Sequence, residues 1–486
     1  MPVTRKHQLA AKIETGEGTD AWGGSAPSAS DVVRVYDPQV QDSQEQDDTT
    51  PSGASLSKDF TSPGRATRQF TFGADFVGNT TGADASAKRN ALPPWDGFVR
   101  ACGMKRVDVT RATGTVTAGP FYPGERVAAT SWAGTPTIWG VALTDGVGGL
   151  QIAPIQGSWS GITTVYGERS GASIATATVD TTEGSAYLPD TLQTVSVNLT
   201  VAGWSSTVPV AGDVVLIYRG GEQVGSALVV TAGDPIILSV LYRGVQDGDE
   251  LHTADGSVAT AEASGAVLAV NSPSISLYSN LDGEARRLLG GRGDFTLGGE
   301  TGKPFKFAFT FGGAPNDAVD ALQVAGVSLA TLSAPKFAGA LFAVGYDRDA
   351  TLAVPTGTPA YVSTCIPAKS VELAIANSTE DRRDQCSPNG VLSSRVTDRG
   401  PQLTIEFEKV GVHAFNWQKL RSLGLSVHVG MVLGTVDGNR VAIVAPACQV
   451  MEVSDGEADG LATNSVTLAL RRLREAGDDE LILAKF

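Results

Sequence analysis

The chain has 486 residues, 57 of them glycine, and a formal net charge of −15. At about 150 residues per domain that length holds several domains, and the acidic balance excludes a duplex-DNA reader, which needs a basic face to neutralise phosphates. No run of about 18 apolar residues occurs and no apolar stretch follows the basic opening Met1–His7, so a chain made in the cytoplasm without signal peptide or membrane span is expected. Cys102, Cys365, Cys386 and Cys448 lie far apart with no CxxC spacing. They read as buried or free thiols, not as a disulfide frame or a zinc site.

Short alternating runs of Thr, Val, Ser and Ala, broken by Gly, Asn and Asp, predict a mainly β chain. Ala11–Asp20 reads as a polar strand-and-turn entry. Asp31–Tyr36 alternates as a strand and runs into an acidic, Gln-rich segment, Asp37–Thr50. Such a segment is a solvated loop or, being longer than most connections in compact domains, a functional arm. Phe70, Phe72 and Phe76 share one parity and predict a strand with an aromatic face over Arg65–Phe76. Pro93–Pro94 leads into Trp95–Gly103, where apolar side chains recur at helical spacing and a glycine stands where a left-handed C-cap would sit. The region 116–270 changes character: few charges, much Thr, Val, Gly and Ser, and the tryptophans Trp132, Trp139, Trp159 and Trp204. Runs such as Val195–Val201, Val214–Tyr218 and Ile236–Tyr242 predict the short strands of one or two β-sandwiches.

The order of signals then repeats. Gly299-Glu300 follows Asp282-Gly283 at nearly the same interval at which Gly456-Glu457 follows Asp437-Gly438. Asp-Gly between alternating runs is a strong hairpin signal. Upstream, Gly64-Arg65 precedes the strand ending Phe70-Thr-Phe72, and Arg399-Gly400 precedes Leu403–Phe407. Each of these strands feeds a short amphipathic helix, Trp95–Gly103 in one copy and Trp417–Gly424 in the other. Each is preceded by a strand and a polar loop, Val32–Val35 and then Val371–Ile375, the second loop carrying Glu380–Asp384. The copies part in one place: the stretch from Gly103 to Asp282 is far longer than its counterpart from Gly424 to Asp437, and the excess is an insertion of a whole domain's length in the first copy. The expected division is a discontinuous first domain, 1–115 with 271–335, an inserted Ig-like β-sandwich region, 116–270, and a second domain, 336–486.

The sequence carries no motif for catalysis or for cofactor or metal binding. Gly298–Pro304 imitates a nucleotide-binding loop, but its first glycine is out of place and Pro304 stands where Ser or Thr is needed. Gly16–Ala21 lacks the βαβ context of a dinucleotide fingerprint and reads as a turn. His7, His252, His413 and His428 have no metal spacing, Asp478-Asp479 reads as solvated, and Arg292-Gly-Asp294 reads as a turn between hairpin strands. No catalytic, cofactor-binding or metal residue is assigned, no cofactor is implied, and the chain is not expected to be an enzyme.

Together Lys12–Asp20, Pro94–Gly103, Asp282–Thr296, Val396–Pro401, Gly434–Pro446 and Asp478–Leu481 resemble the tail tube proteins of tailed bacteriophages with long non-contractile tails. The resemblance covers 1–115 and 270–486 and rests on the order of the motifs. It implies β-sandwich or barrel domains, each with a flanking helix, whose inner sheets join between subunits into a channel, with rings stacked into a tube of the virion. Three chains would give a pseudo-six-fold ring if both copies line the channel; six would be needed if one does. The implied partners are the chain itself, a tape measure protein, tail terminator and distal tail proteins, and genomic DNA passing through the lumen during ejection without specific binding. Asp37–Ser57 is the candidate arm to the neighbouring ring. The insert would project outward, where host surface glycans are a further partner if its tryptophans are exposed, and none if they are buried core. A distal tail or baseplate ring protein, a glycan-binding tail component and a polysaccharide-degrading one are the alternatives.

Overall fold

The computed structural model describes residues 7–14, 16–47, 62–117, 120–131, 136–168, 170, 172–190, 194–197, 204–231, 236–242, 248–261, 269–270, 273–327, 329, 333–347, 361–364, 367–385, 387–409, 411, 415–458, 460–473 and 477–486. Trp132, Cys365, Cys386, His413 and residues 48–57 of the expected arm lie outside these. The chain is mainly β, as its composition predicts.

The first half contains strand β1 (His7–Ile13), a hairpin of β2 (Tyr36–Asp47) and β3 (Ser62–Asp75), and helices α1 (Ala85–Asn90) and α2 (Asp96–Ala101). After the inserted region come β4 (Ile275–Leu281), β5 (Glu284–Glu300) and β6 (Lys306–Asp320). The second half has β7 (Leu341–Asp347), β8 (Ala368–Ala374), a hairpin of β9 (Asn377–Arg383) and β10 (Val391–Arg399), β11 (Gln402–Glu408) and α3 (Trp417–Leu423). It continues with β12 (Ser426–Leu433), β13 (Val441–Ala458), β14 (Leu461–Leu470) and β15 (Ile482–Lys485).

Antiparallel pairing gives both halves one strand order. The first reads β2-β3-β6-β5-β4-β1 and the second β8-β11-β14-β13-β12-β7. The two meet where the end of β5 pairs with β8, from Thr296 opposite Ala374 to Glu300 opposite Ser370. One eight-stranded sheet therefore runs β2-β3-β6-β5-β8-β11-β14-β13, four strands from each half. Strands β5 and β13, 17 and 18 residues long, belong to both layers of their halves. Register shifts at Leu289/Arg292 and Val450/Glu452 bend them across the corner.

The sheet's inner face is where the sequence parity puts its apolar residues. Phe70, Phe72, Phe295, Phe307, Phe309 and Phe311 continue into Val371, Leu373, Leu403, Ile405 and Phe407, and all are buried in one core. The helices close that core from the other side. Phe98 of α2 meets Phe72 at 4.9 Å between ring centroids, Trp95 meets Phe76 at 5.3 Å, and Trp417 of α3 meets Phe407 at 5.5 Å. Both C-terminal glycines adopt the left-handed conformation, Gly103 at φ +83° and Gly424 at φ +63°, and Asn416 caps the start of α3 by accepting from the Lys419 N–H.

The two Asp-Gly turns differ. Asp282 and Gly283 both have positive φ, the signature of a two-residue type I′ hairpin joining β4 to β5. Of Asp437 and Gly438 only the glycine is left-handed, and the pair lies inside a longer loop between β12 and β13. That loop is pinned: the Gly438 N–H donates to Phe486 O, and its carbonyl accepts from Asn79 at 2.7 Å.

The inserted region holds two units with a return between them. Thr110–Asp180 contains a closed six-stranded barrel, not an Ig-like sandwich. Ser185–Pro189, inside the segment expected to be separate, comes back to pair with Met104–Asp108 and with β15. Through it the barrel shares a core with the second half, Val141, Leu143 and Ala153 packing with Leu188, Val444, Ile482 and Phe486. Thr194–Val270 then contributes strands of a separate seven-stranded sheet around Val215, Ile217, Val229 and Leu238. Among the described tryptophans of the insert, Trp139 and Trp159 are buried and Trp204 is partly buried against the core of the second unit.

Three expected loops are strands. Asp37–Asp47 is most of β2, and Glu380–Arg383 lies in β9. Both strands have mostly polar, exposed side chains, so no alternation of polarity marks them. Arg292-Gly293-Asp294 is not a turn; it lies in mid-β5 with Arg292 buried.

Candidate assembly edges and polar sheet face

The feature that stands out is the second face of the eight-stranded sheet. Residues directly opposite one another on neighbouring strands point to the same side. Starting from Asp75 on β3, the line passes through Lys306, Gly298, Glu372, Thr404, Thr467 and Glu452. A second line runs from Glu300 through Ser370 and Glu406 to Ser465 and Ser454. A third joins Gln39, Thr71, Thr310 and Asp294. This face is hydroxyl, amide and carboxylate, while the aromatic and aliphatic core residues of these strands turn the other way.

Its few cations are occupied locally. Lys306 lies over the Tyr36 ring at 4.6 Å, and Lys303 meets Glu300 at 2.5 Å, which holds that carboxyl below its usual range. Lys369 stands 3.7 Å from Glu406. Tyr36 donates to Asp75 at 2.6 Å, and that bond raises the phenol's pKa. Asp294 sits where the face dips under the β9–β10 hairpin; burial raises its pKa, while a 3.0 Å bond from the Asn377 N–H opposes the shift. Asn377 also donates to Cys102 O and Gly293 O, tying the junction of the halves to the end of α2.

The sheet has two ends. β2 pairs with β3 along one side, and β13 beyond Val450 pairs with β14 along one side; among the described residues neither has a partner strand on its other edge. Open edges of this length template pairing with another chain. The two edges are not alike. The end of β13 corresponds to the end of β5, and β2 corresponds to β8. The free edges are thus a matched pair of the kind already joined once inside the chain, at β5–β8.

Sequence reading assigns no site residue, and the acids of this face explain why. They are scattered over 75–452 and converge only through strand register, which no local motif encodes. His7, His252 and His428 lie apart in the fold: His7 bonds Ser279 at 2.6 Å, His252 lies 3.0 Å from Glu250, and His428 is buried. No group of three or more metal-binding side chains occurs among the described residues. Among them, too, no helix is long and apolar enough to cross a membrane.

No protein-family model matches this sequence, and no curated protein matches it. Among solved structures the chain is similar to one in the six-fold symmetrised cryo-EM structure of the anti-feeding prophage baseplate. That match has 11% identity and a TM-score of 0.20, and covers 29% of this chain and 91% of that one. A likeness so slight carries no inference about fold or role.

Proposed function

We propose that this chain is a structural protein of a phage tail, which closes into rings through its sheet edges and stacks those rings into the tail tube. The observation that carries the reading is the junction inside the chain. Two halves of one topology already join edge to edge into a single sheet, and the same two edges remain at its ends. Repeating that contact between chains adds a fixed rotation per half, and such a head-to-tail contact closes a ring when the rotation divides a full turn. Three chains then make a pseudo-six-fold ring; six make a ring of the same kind if one half alone lines it.

The two faces of the sheet support a channel. The apolar face is covered by helices and the second layer, and the polar face is left to line the lumen. Duplex DNA passing such a wall meets carboxylates and hydroxyls, which do not hold phosphates. The role is mechanical, in the virion. The tape measure protein would fill the lumen before DNA does, with terminator and distal tail proteins at the two ends.

Negative-stain microscopy of the purified chain tests the reading. Long hollow tubes of stacked three-fold or six-fold rings are expected. Single rings that never stack would shift the chain to a distal tail or baseplate ring, and monomers at every concentration and salt would overturn the reading.

A further inference from the structure

The β9–β10 hairpin of the second half lies across one end of the first. The Ala66 N–H donates to Asn389 O, Asn389 Nδ2 donates to Pro315 O at 2.5 Å, and Arg65 stands 3.9 Å from Asp381. Ser394 sits over Gly312, and Ser393 and Arg382 hold Glu17 at 2.9 and 2.5 Å. The seat for this hairpin is thus the start of β3, the outgoing half of β6 and the loop after β1.

Strand pairing locates the corresponding seat on the second half. Phe76 meets Trp95 as Phe407 meets Trp417, which aligns β3 with β11. Phe72 lies opposite Phe309 and Leu403 opposite Leu468, which aligns β6 with β14. Counting along the strands, Arg65 and Ala66 correspond to Val396 and Thr397, and Gly312 and Gly313 correspond to Arg471 and Arg472. These positions, with Pro401 and Leu470, wall an open cavity of about 600 Å³.

The hairpin that corresponds to β9–β10 is β2–β3. Beyond Arg68 strand β3 leaves β6, and Asp42, Gln44, Glu45 and Gln46 of β2 are exposed. We propose that the β2–β3 hairpin of a second copy docks sideways into this cavity on the second half of its neighbour, as β9–β10 docks on the first half within one chain. The proposal rests on the ring reading above. It places the hairpin on the next chain of the same ring, where the family resemblance alone leads to the next ring.

Arg471 and Arg472 are exposed at the cavity, and the incoming strand carries the exposed residues Asp42, held by Arg68 of its own hairpin, and Glu45, held there by Arg65 at 2.8 Å. Of the four acids that line the cavity, Asp190, Asp398, Asp478 and Glu480, the last two are turned to Arg399 at 2.5 and 2.6 Å, and Asp398 accepts from the Arg399 N–H at 2.9 Å. The direction fits: β9–β10 leans over β5, β6 and β3, so the same lean from an edge-joined neighbour carries its β2–β3 over β13, β14 and β11.

The test is a covalent bridge in the full-length chain. Gln44→Cys and Arg471→Cys are combined and treated with a short bismaleimide, beside each single variant and the unsubstituted chain as controls for the native cysteines. Dimers and higher covalent species from unstacked rings of the double variant alone are expected. Rings of normal appearance without the bridge, or with a bridge that forms only after stacking, overturn the docking and leave the tube reading intact. An unsubstituted chain that stays monomeric overturns both.

Discussion

At the scale of single residues, Glu14 is the strongest case. Its carboxylate is fully enclosed and accepts from Ser274 Oγ at 2.6 Å, Ser276 Oγ and the Gly290 N–H at 2.7 Å, and the Gly18 N–H at 2.8 Å. It ties the loop after β1 to β4 and β5, beside the Glu17 that the β9–β10 hairpin holds. Burial raises its pKa to about 7 from 4.5, against the pull of those four donors. An acid whose pKa is raised on folding stabilises the fold most when protonated. Its contribution is therefore full below about pH 4.5 and is withdrawn as the pH rises through about 7. Glu14→Gln abolishes this titration while turning an amide toward the donors. The stability lost by Glu14→Gln, measured by urea unfolding, should be larger at pH 5 than at pH 8; a penalty that is flat or grows with pH would refute the assignment. Phe309 makes a second case at this scale, stacked between Phe307 and Phe311 at 4.9 and 5.8 Å. Phe309→Ala opens a cavity in the shared core and should cost about 3–5 kcal/mol by denaturant unfolding.

At the scale of elements, the proposed ring makes the free edge of β13 the assembly contact. Successive N–H groups along a strand point to opposite sides, so of Val453 and Ser454 one donates to β14 and the other faces the open edge. Proline removes that donor. Of Val453→Pro and Ser454→Pro, the variant that spares the β14 ladder should keep a thermal midpoint near that of the parent and fail to form rings. Ring formation by both variants would separate the edge from assembly. What the sequence offers about these elements divides by chemistry. Phe70, Phe72, Phe307, Phe309 and Phe311 declare their strands because one face is buried, and Trp95 to Gly103 and Trp417 to Gly424 declare helices by spacing and C-cap. β2 and β9 read as loops because neither of their faces is apolar; pairing alone makes them strands. The return of Ser185–Pro189 is hidden for another reason: its partners, Met104–Asp108 and Ile482–Lys485, lie far off in sequence, and no local pattern records that distance. The polar face is equally hidden, since Asp75, Glu372 and Glu452 share it only through register across the intervening strands.

For the whole molecule, the proposed tail tube raises the question of what a wall of carboxylates would do to DNA passing it. Asp75, Glu300, Glu372, Glu406 and Glu452 share the polar face, and three of its cations, Lys303, Lys306 and Lys369, are engaged by Glu300, Tyr36 and Glu406. In the proposed tube, repulsion between this wall and a duplex would act over about a Debye length, roughly 8 Å at physiological salt, and so would keep the phosphates off the wall without needing contact. Glu372, Glu406 and Glu452 come from three different strands of the second half and do not contribute to the core, so the substitutions Glu372→Lys, Glu406→Lys and Glu452→Lys leave the inner packing untouched. Repeated around a ring and along a tube, they turn a repelling wall into one that condenses on DNA with release of counterions. Virions carrying the triple substitution should assemble tails of normal length and eject DNA about tenfold more slowly at low salt, the deficit shrinking as salt is raised. Measured by fluorescence of released DNA, ejection at the parental rate across all salt concentrations would mean that this face does not line the channel, and the sheet would then have to be turned around in the ring.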